Sequence, residues 1–83
     1  MDSAEKLDAL NKAKILLEKE IYTQCCFIGI EPESMDTNSF NHEEFISSVP
    51  LNPTNAEWIA YQSISRYMNR LIFINQELEK NQA

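Results

Sequence analysis

The spacing of the apolar side chains predicts two long helices, one near each end of the chain. Between residues 4 and 28, large apolar residues recur at intervals of three, four and seven, which places them on one face of a helix. They are Leu7, Leu10, Leu17, Ile21, Cys25 and Ile28. The same pattern between residues 55 and 80 predicts a second long helix. Its predicted core face consists of Ala60, Ile64, Tyr67, Leu71, Ile74 and Leu78.

The residues that flank the first segment are typical of helix ends. Asp2 or Ser3 can accept a hydrogen bond from the free amides of the first turn, and Glu5 stands at the capping-box spacing from Asp2. Gly29 lies where a residue in the left-handed conformation commonly ends a helix, and Pro32 follows shortly after it. We therefore expect this helix to end at the residue before the glycine.

A short helix is predicted over residues 42–48. Asn41 can cap its first turn, and Glu44 stands three residues later, as a capping box requires. Phe40 and Phe45 occupy the two positions whose side chains pack together as a hydrophobic staple. This local signature predicts a helix that begins directly after Asn41.

The predicted fold is all-α. Thr54 and Glu57 repeat the capping-box spacing at the start of the second long helix. With one glycine in the sequence, tight hairpins between strands are disfavoured. We expect an antiparallel hairpin of the helices at about 4–28 and 55–80, with the short helix at about 42–48 across one end.

Several large apolar residues lie away from the predicted core faces. They are Trp58, Ile59 and Phe73 in the second long helix, and Ile15, Tyr22 and Cys26 in the first. Two helices that each carry a second apolar strip indicate an additional contact surface, which predicts a homo-oligomer or a complex with a partner protein. The alternative is that the short helix covers these residues.

The two arginines, Arg66 and Arg70, stand one helical turn apart on the same side as Ile59 and Phe73. Arginine beside exposed apolar side chains is typical of the central residues of protein interfaces. Two guanidinium groups at this spacing can also converge on one anionic ligand. A third interpretation is that they are solvated and pair with Glu77 or with a carboxylate of the loop.

The charge of the chain is negative and unevenly distributed. Its 83 residues include 7 lysines and arginines against 13 aspartates and glutamates, a net charge of −6. This charge disfavours direct binding to nucleic acid or to an anionic membrane surface. Residues 20–65 hold no lysine or arginine, and we expect their carboxylates, in an acidic loop at 30–40 and in the short helix, to lie at one end of the hairpin. The candidates for a secondary acidic surface are Glu31, Glu33, Asp36, Glu43 and Glu44, which either keep the protein soluble or dock a basic partner.

Histidine, serine and cysteine, which many enzymes use in catalysis, are present, but their spacing does not indicate a catalytic site. His42 is the single histidine, and we interpret it as an exposed residue in the first turn of the short helix. No serine stands at a spacing from it that indicates a proton relay; the serines considered are Ser34, Ser39, Ser47, Ser48, Ser63 and Ser65. Cys25 and Cys26 do not have the spacing of a zinc or redox pair, and we expect the first to be buried and the second more exposed. We therefore predict no enzyme activity, no metal and no cofactor.

The whole chain is interpreted as one small helical domain, residues 1–83. It shows no targeting signal and no apolar run long enough to span a membrane, so we expect a cytoplasmic protein. The first hypothesis is a protein–protein interaction module that acts as an inhibitor or adaptor, a role that small phage- or plasmid-encoded regulators of this size and charge fill. The second is an oligomeric hairpin that binds a small anionic ligand such as a nucleotide. Arg66 and Arg70 would hold this ligand, and Tyr67, Tyr61 or Phe73 would stack on it.

Overall fold

The computed structural model describes residues 3–82, and every regular element in that part of the chain is helical. The long helices are α1 (Ser3–Ile28) and α3 (Asn55–Gln82), and the short helix between them is α2 (His42–Ser47). These bounds lie within two residues of the sequence predictions at every end. One 3-10 turn, Pro32–Ser34, lies in the segment that the sequence predicted to be irregular.

The C-terminus of α1 is closed by the predicted glycine. Gly29 has a φ of 75°, and the amide of Ile30 donates a hydrogen bond of 2.9 Å to the carbonyl oxygen of Cys25. This bond from the second residue after the helix back to its last turn is the main bond of a Schellman motif. The capping role predicted for Asp2 lies outside the described residues.

The start of α2 has the predicted cap and staple. The side-chain oxygen of Asn41 accepts a hydrogen bond of 2.9 Å from the amide of Glu44. The rings of Phe40 and Phe45 pack with their centroids 5.6 Å apart. A helix of only six residues has little intrinsic stability, so these two local contacts fix where it begins.

A complete capping box begins α3. The hydroxyl oxygen of Thr54 accepts from the amide of Glu57 at 3.1 Å, and the Glu57 carboxylate accepts from the amide of Thr54 at 2.9 Å. Two of the amides that a helix start leaves free are therefore satisfied by side chains.

The core forms where α1 and α3 pack together, with α2 closing it. Its main buried cluster consists of Ile21, Cys25, Phe45, Tyr61, Ile64, Met68 and Leu71, and the predicted core residues Ala60, Ile74 and Leu78 of α3 are buried as well. Within the described part of α1, Ile21 and Cys25 are the buried side chains, so the core lies toward the end of this helix. In α3, Tyr67 is half-buried rather than central, and Tyr61 and Met68 take the inner positions.

Contacts between the two long helices occur near both ends of the pair. Lys6 forms an ion pair with Glu77 at 3.7 Å. At the other end, Ile21 and Cys25 share the core with Tyr61. The described part of the chain is accordingly elongated, with dimensions of 48 × 20 × 19 Å.

The acidic loop is not confined to one end of the helix pair, which corrects the sequence expectation. Met35 packs against the core, and the Thr37 hydroxyl accepts a hydrogen bond of 3.2 Å from the side-chain amide of Asn75. The loop therefore runs back along α3 as far as its C-terminal half. The following helix α2 returns toward the start of α3, where the rings of Phe45 and Tyr61 lie 5.5 Å apart.

Candidate functional site

One side of α3 combines exposed apolar residues with both arginines. Its members, which we call the outer face of α3, are Trp58, Ile59, Gln62, Arg66, Arg70 and Phe73. Ile59 is 60% exposed and Phe73 57% exposed. Four of the six residues follow one another at intervals of four, so they form a continuous ridge along the helix. The short helix leaves this ridge open, against the alternative considered from the sequence.

The outer face carries positive charge in an acidic protein. The sequence of α3 holds no aspartate or glutamate between Glu57 and Glu77. Both arginines lie inside this interval. The outer face of α3 is therefore a positively charged surface on a chain whose net charge is −6.

The arginines have no ion-pair partner among the described residues. Glu77, which the sequence offered as a partner, instead pairs with Lys6 at 3.7 Å and with Lys80 at 3.5 Å. The carboxylates of the loop do not reach the guanidinium groups either. Arg66 and Arg70 are therefore free to bind an external anion. The interpretation that they pair with Glu77 or with a carboxylate of the loop is wrong.

A groove of about 430 Å³ runs between α2 and α3 on one side of the outer face. Its lining consists of His42, Ile46, Trp58, Gln62 and Arg66, and we call it the Trp58 groove. Ile46 and Trp58 supply apolar surface, while the other three side chains supply hydrogen-bonding groups. Such a combination suits a side chain that is apolar along its length and polar at its tip.

A second groove, of about 460 Å³, lies between α1 and α3. It is lined by Leu17, Arg66, Tyr67 and Arg70, and we call it the Tyr67 groove. Arg66 borders both grooves and so stands at the centre of the surface. Tyr61, which the sequence proposed as a stacking residue, is only 6% exposed and packs against Phe45, so it cannot stack on a ligand.

His42 is exposed, as predicted, but it has a serine partner that the sequence did not indicate. Its Nδ1 is hydrogen-bonded to the Oγ of Ser65, which is fully buried in α3. The two residues are 23 positions apart, so no local spacing could indicate the pair. Because the hydroxyl is covered by the protein, it cannot attack a substrate, and the bond serves to dock α2 on α3.

The carboxylates of the candidate acidic surface are exposed, and they lie on the loop and on α2. They are Glu31, Glu33, Asp36, Glu43 and Glu44. Asp36 also shapes the loop, because its carboxylate accepts a hydrogen bond of 3.0 Å from the amide of Asn38. This surface is negatively charged, whereas the outer face of α3 is positively charged.

Comparison with known proteins adds no relative: no family model matches the chain, and neither does any curated protein or solved structure. Within residues 3–82, no group of three His, Cys, Asp or Glu side chains is placed to hold a metal ion. None of the described helices is long and apolar enough to cross a membrane.

The cysteines and the outer side of α1 follow the sequence expectation. Cys25 is buried and Cys26 is exposed, both as free thiols. Burial raises the pKa of the Cys25 thiol, with a smaller contribution from the neighbouring Cys26. Ile15 and Tyr22 are 52% and 58% exposed, so the second apolar strip of α1 is open to solvent.

The sequence indicated the two arginines but not the residues that line the grooves beside them. Ile46 and Leu17 were missed because they come from α2 and α1, and only packing brings these helices beside Arg66. Gln62 could have been predicted from the sequence, because Trp58, Gln62 and Arg66 follow one another at intervals of four and so lie on one side of the helix. Exposed Leu16 and Phe27 were also missed; they lie on α1 away from its core face.

Proposed function

We propose that this chain is a non-enzymatic protein–protein interaction module, a small acidic inhibitor or adaptor that works by contact with a partner protein. Its contact surface is the outer face of α3, centred on Ile59, Arg66, Arg70 and Phe73. A cytoplasmic location is part of the proposal.

The observation that carries this proposal is the unpaired state of the two arginines. In a chain with 13 acidic residues, intramolecular partners for an arginine are abundant. Lys6, Lys12 and Lys80 form ion pairs, whereas Arg66 and Arg70, like Lys14 and Lys19, form none with any described residue. What distinguishes the arginines is that two planar guanidinium groups stand one helical turn apart beside exposed Ile59 and Phe73, a combination that suits a carboxylate of another protein.

The apolar residues beside the arginines supply the second part of the binding energy. Phe73 and Ile59 flank the guanidinium groups along the helix, and each has more than half of its surface exposed. Burying such side chains around a charge pair excludes water from it, which strengthens the electrostatic attraction. The surface therefore fits a partner that presents carboxylates between apolar residues.

The proposed architecture behind this surface is an antiparallel hairpin that also self-associates. The Lys6–Glu77 ion pair and the core shared by Ile21 and Tyr61 support the antiparallel direction. Exposed apolar side chains on α1 support self-association. One rigid hairpin can in this way use α3 for the partner and α1 for another copy.

The test is the charge reversal Arg66→Glu/Arg70→Glu, used in affinity purification from the native host with quantitative mass spectrometry. We expect the variant to keep its helical circular dichroism and its melting midpoint, because exposed substitutions shift stability by less than about 0.5 kcal/mol. Proteins captured by the unmodified chain should be lost, because reversed charges repel the carboxylates that the arginines attract.

The matched control is Lys12→Glu/Lys80→Glu, which changes the net charge by the same amount at two exposed positions away from the site. Their side chains are 74% and 73% exposed. Capture that survives the control but not the arginine reversal supports the outer face of α3. Equal capture by all three proteins would reject this face and leave the acidic surface around Glu31 and Glu43 as the candidate.

A second candidate function is the binding of a small anionic ligand such as a nucleotide. The Tyr67 groove favours it, because Arg66 and Arg70 line the same space as the ring of Tyr67. A phosphate could bridge the guanidinium groups while a base stacks on the ring. A thermal-shift panel of nucleotides separates the two functions, since a ligand that binds only the folded state raises the melting midpoint.

A further inference from the structure

The exposed side of α1 carries a short strip that is complementary to itself. Ile15, Glu18, Lys19 and Tyr22 line a shallow groove of about 530 Å³ on this helix, at the edge of which Thr23 also lies. Their positions, separated by three, four and seven residues, place them on one stripe of the helix. We call these four residues the α1 strip. It has an apolar residue at each end and one charge of each sign in the middle.

We infer that the α1 strip is the interface through which two copies of this chain pair as a twofold dimer. This inference rests on the self-association part of the proposed function and names its surface. In an antiparallel pairing of two α1 helices, with the axis between positions 18 and 19, Glu18 faces Lys19 of the second copy. Ile15 then faces Tyr22 of the second copy, and each contact occurs twice.

Charge disfavours a parallel pairing of this strip. In a parallel arrangement Glu18 would face Glu18 and Lys19 would face Lys19, which is repulsive. Neither side chain forms an ion pair with a described residue of its own chain, so both are available. Two copies that each carry a charge of −6 repel at long range, and contact through a strip of zero net charge adds no further repulsion.

The outer face of α3 is a poorer place for a second copy. Its arginines would have to meet the carboxylates around Glu31 and Glu43 of the next chain. A head-to-tail contact between two such different surfaces leads to a ring or to an open chain of molecules rather than to a closed twofold dimer. Pairing through the α1 strip closes at two copies and leaves Arg66 and Arg70 accessible.

Sedimentation equilibrium of charge-swap variants in reducing buffer tests the interface. Glu18→Lys and Lys19→Glu should each raise the dimer dissociation constant by about tenfold, because two attractive pairs become repulsive. The double variant Glu18→Lys/Lys19→Glu restores opposite charges across the twofold axis. Its dissociation constant should return to within about threefold of the original value.

The opposite net-charge changes of the single variants make this test specific. Glu18→Lys moves the net charge from −6 to −4, whereas Lys19→Glu moves it to −8. General repulsion between acidic chains predicts stronger association for the first and weaker association for the second. The α1 strip predicts weaker association for both. The control Glu20→Lys makes the same net-charge change as Glu18→Lys from an exposed position outside the strip, and it should not weaken the dimer.

Three results would overturn the inference. A monomer at all concentrations removes the dimer and the self-association part of the proposed function, while the arginine surface is judged separately by partner capture. An oligomer insensitive to the swaps at positions 18 and 19 places the interface elsewhere. An assembly that continues beyond two copies contradicts the closed pairing. Circular dichroism of each variant verifies that the helices are intact.

Discussion

The Nδ1 atom of His42 is hydrogen-bonded to the Oγ of Ser65, and this bond connects the first residue of α2 to the middle of α3. The serine has no exposed surface, so water cannot replace the imidazole as its partner. A hydrogen bond of this kind contributes about 1 kcal/mol to folding, and leaving one buried group without a partner costs more than removing both. The docking of α2 beside the Trp58 groove therefore depends on this pair.

A double-mutant cycle should reveal the bond. We expect His42→Ala and Ser65→Ala to couple by about 1 kcal/mol in urea denaturation followed by circular dichroism, because each variant removes the same interaction. Ser47→Ala is the control, since its exposed hydroxyl bonds to the carbonyl of Glu44 and not to His42. Additive effects of His42→Ala and Ser65→Ala would show that the bond does not contribute to stability.

Phe45 should be one of the most sensitive positions in the chain. It is 8% exposed and packs against the rings of Phe40 and Tyr61, so Phe45→Ala should cost about 3–5 kcal/mol in the free energy of unfolding. Phe73→Ala provides a control with the same chemistry at an exposed position, and it should cost less than about 0.5 kcal/mol. If Phe45→Ala does not fold, Phe45→Leu should still cost about 1 kcal/mol. Similar costs for Phe45→Ala and Phe73→Ala would contradict the packing of α2 on α3.

Gly29 ends α1 with a positive φ, and this conformation should decide the effect of a substitution. A Cβ added at this glycine would meet no atom within 4 Å, so crowding is not a factor. Gly29→Ala should cost about 1 kcal/mol in thermal or urea denaturation, because residues with a Cβ disfavour the left-handed region. Gly29→Asn should cost less, since asparagine tolerates that region better. Equal stability of the original chain and Gly29→Ala would mean that α1 ends in another way.

Cys25 should make the protein less stable at alkaline pH. Burial raises the pKa of its thiol in the folded state above that in the unfolded chain. The unfolded state therefore releases its proton first, and the free energy of unfolding should fall as the pH rises above about 8.5, the ordinary thiol value. Below that pH the contribution is complete.

Urea midpoints measured between neutral pH and pH 10 test this effect. Cys25→Ala should reduce the alkaline loss of stability, although it also lowers the midpoint at neutral pH by removing a buried side chain. Cys26→Ser is the control, because the exposed Cys26 makes only the smaller contribution to the raised pKa of Cys25 and most of the slope should remain. The same slope in Cys25→Ala as in the original chain would assign the alkaline loss to other groups.

The helices and their ends were determined by the sequence, because the interactions that define them are local. Asn41 and Glu44, or Thr54 and Glu57, are three residues apart, so the backbone brings each pair together as soon as one turn forms. The exposure of Arg66 could likewise be predicted from the sequence. A helix that packs its apolar stripe against the core must expose the residues on its opposite side.

The tertiary structure decided which of these exposed residues share a surface and which partners they have. Glu77 could have paired with Arg70 in sequence terms, yet the packing of α1 on α3 brings Lys6 to it and leaves the arginine free. Asn75 holds Thr37 from 38 positions away and so draws the acidic loop along the helix pair. Such contacts depend on how whole helices fit together, and the free energy that selects this fit comes from many buried side chains at once rather than from a local pattern.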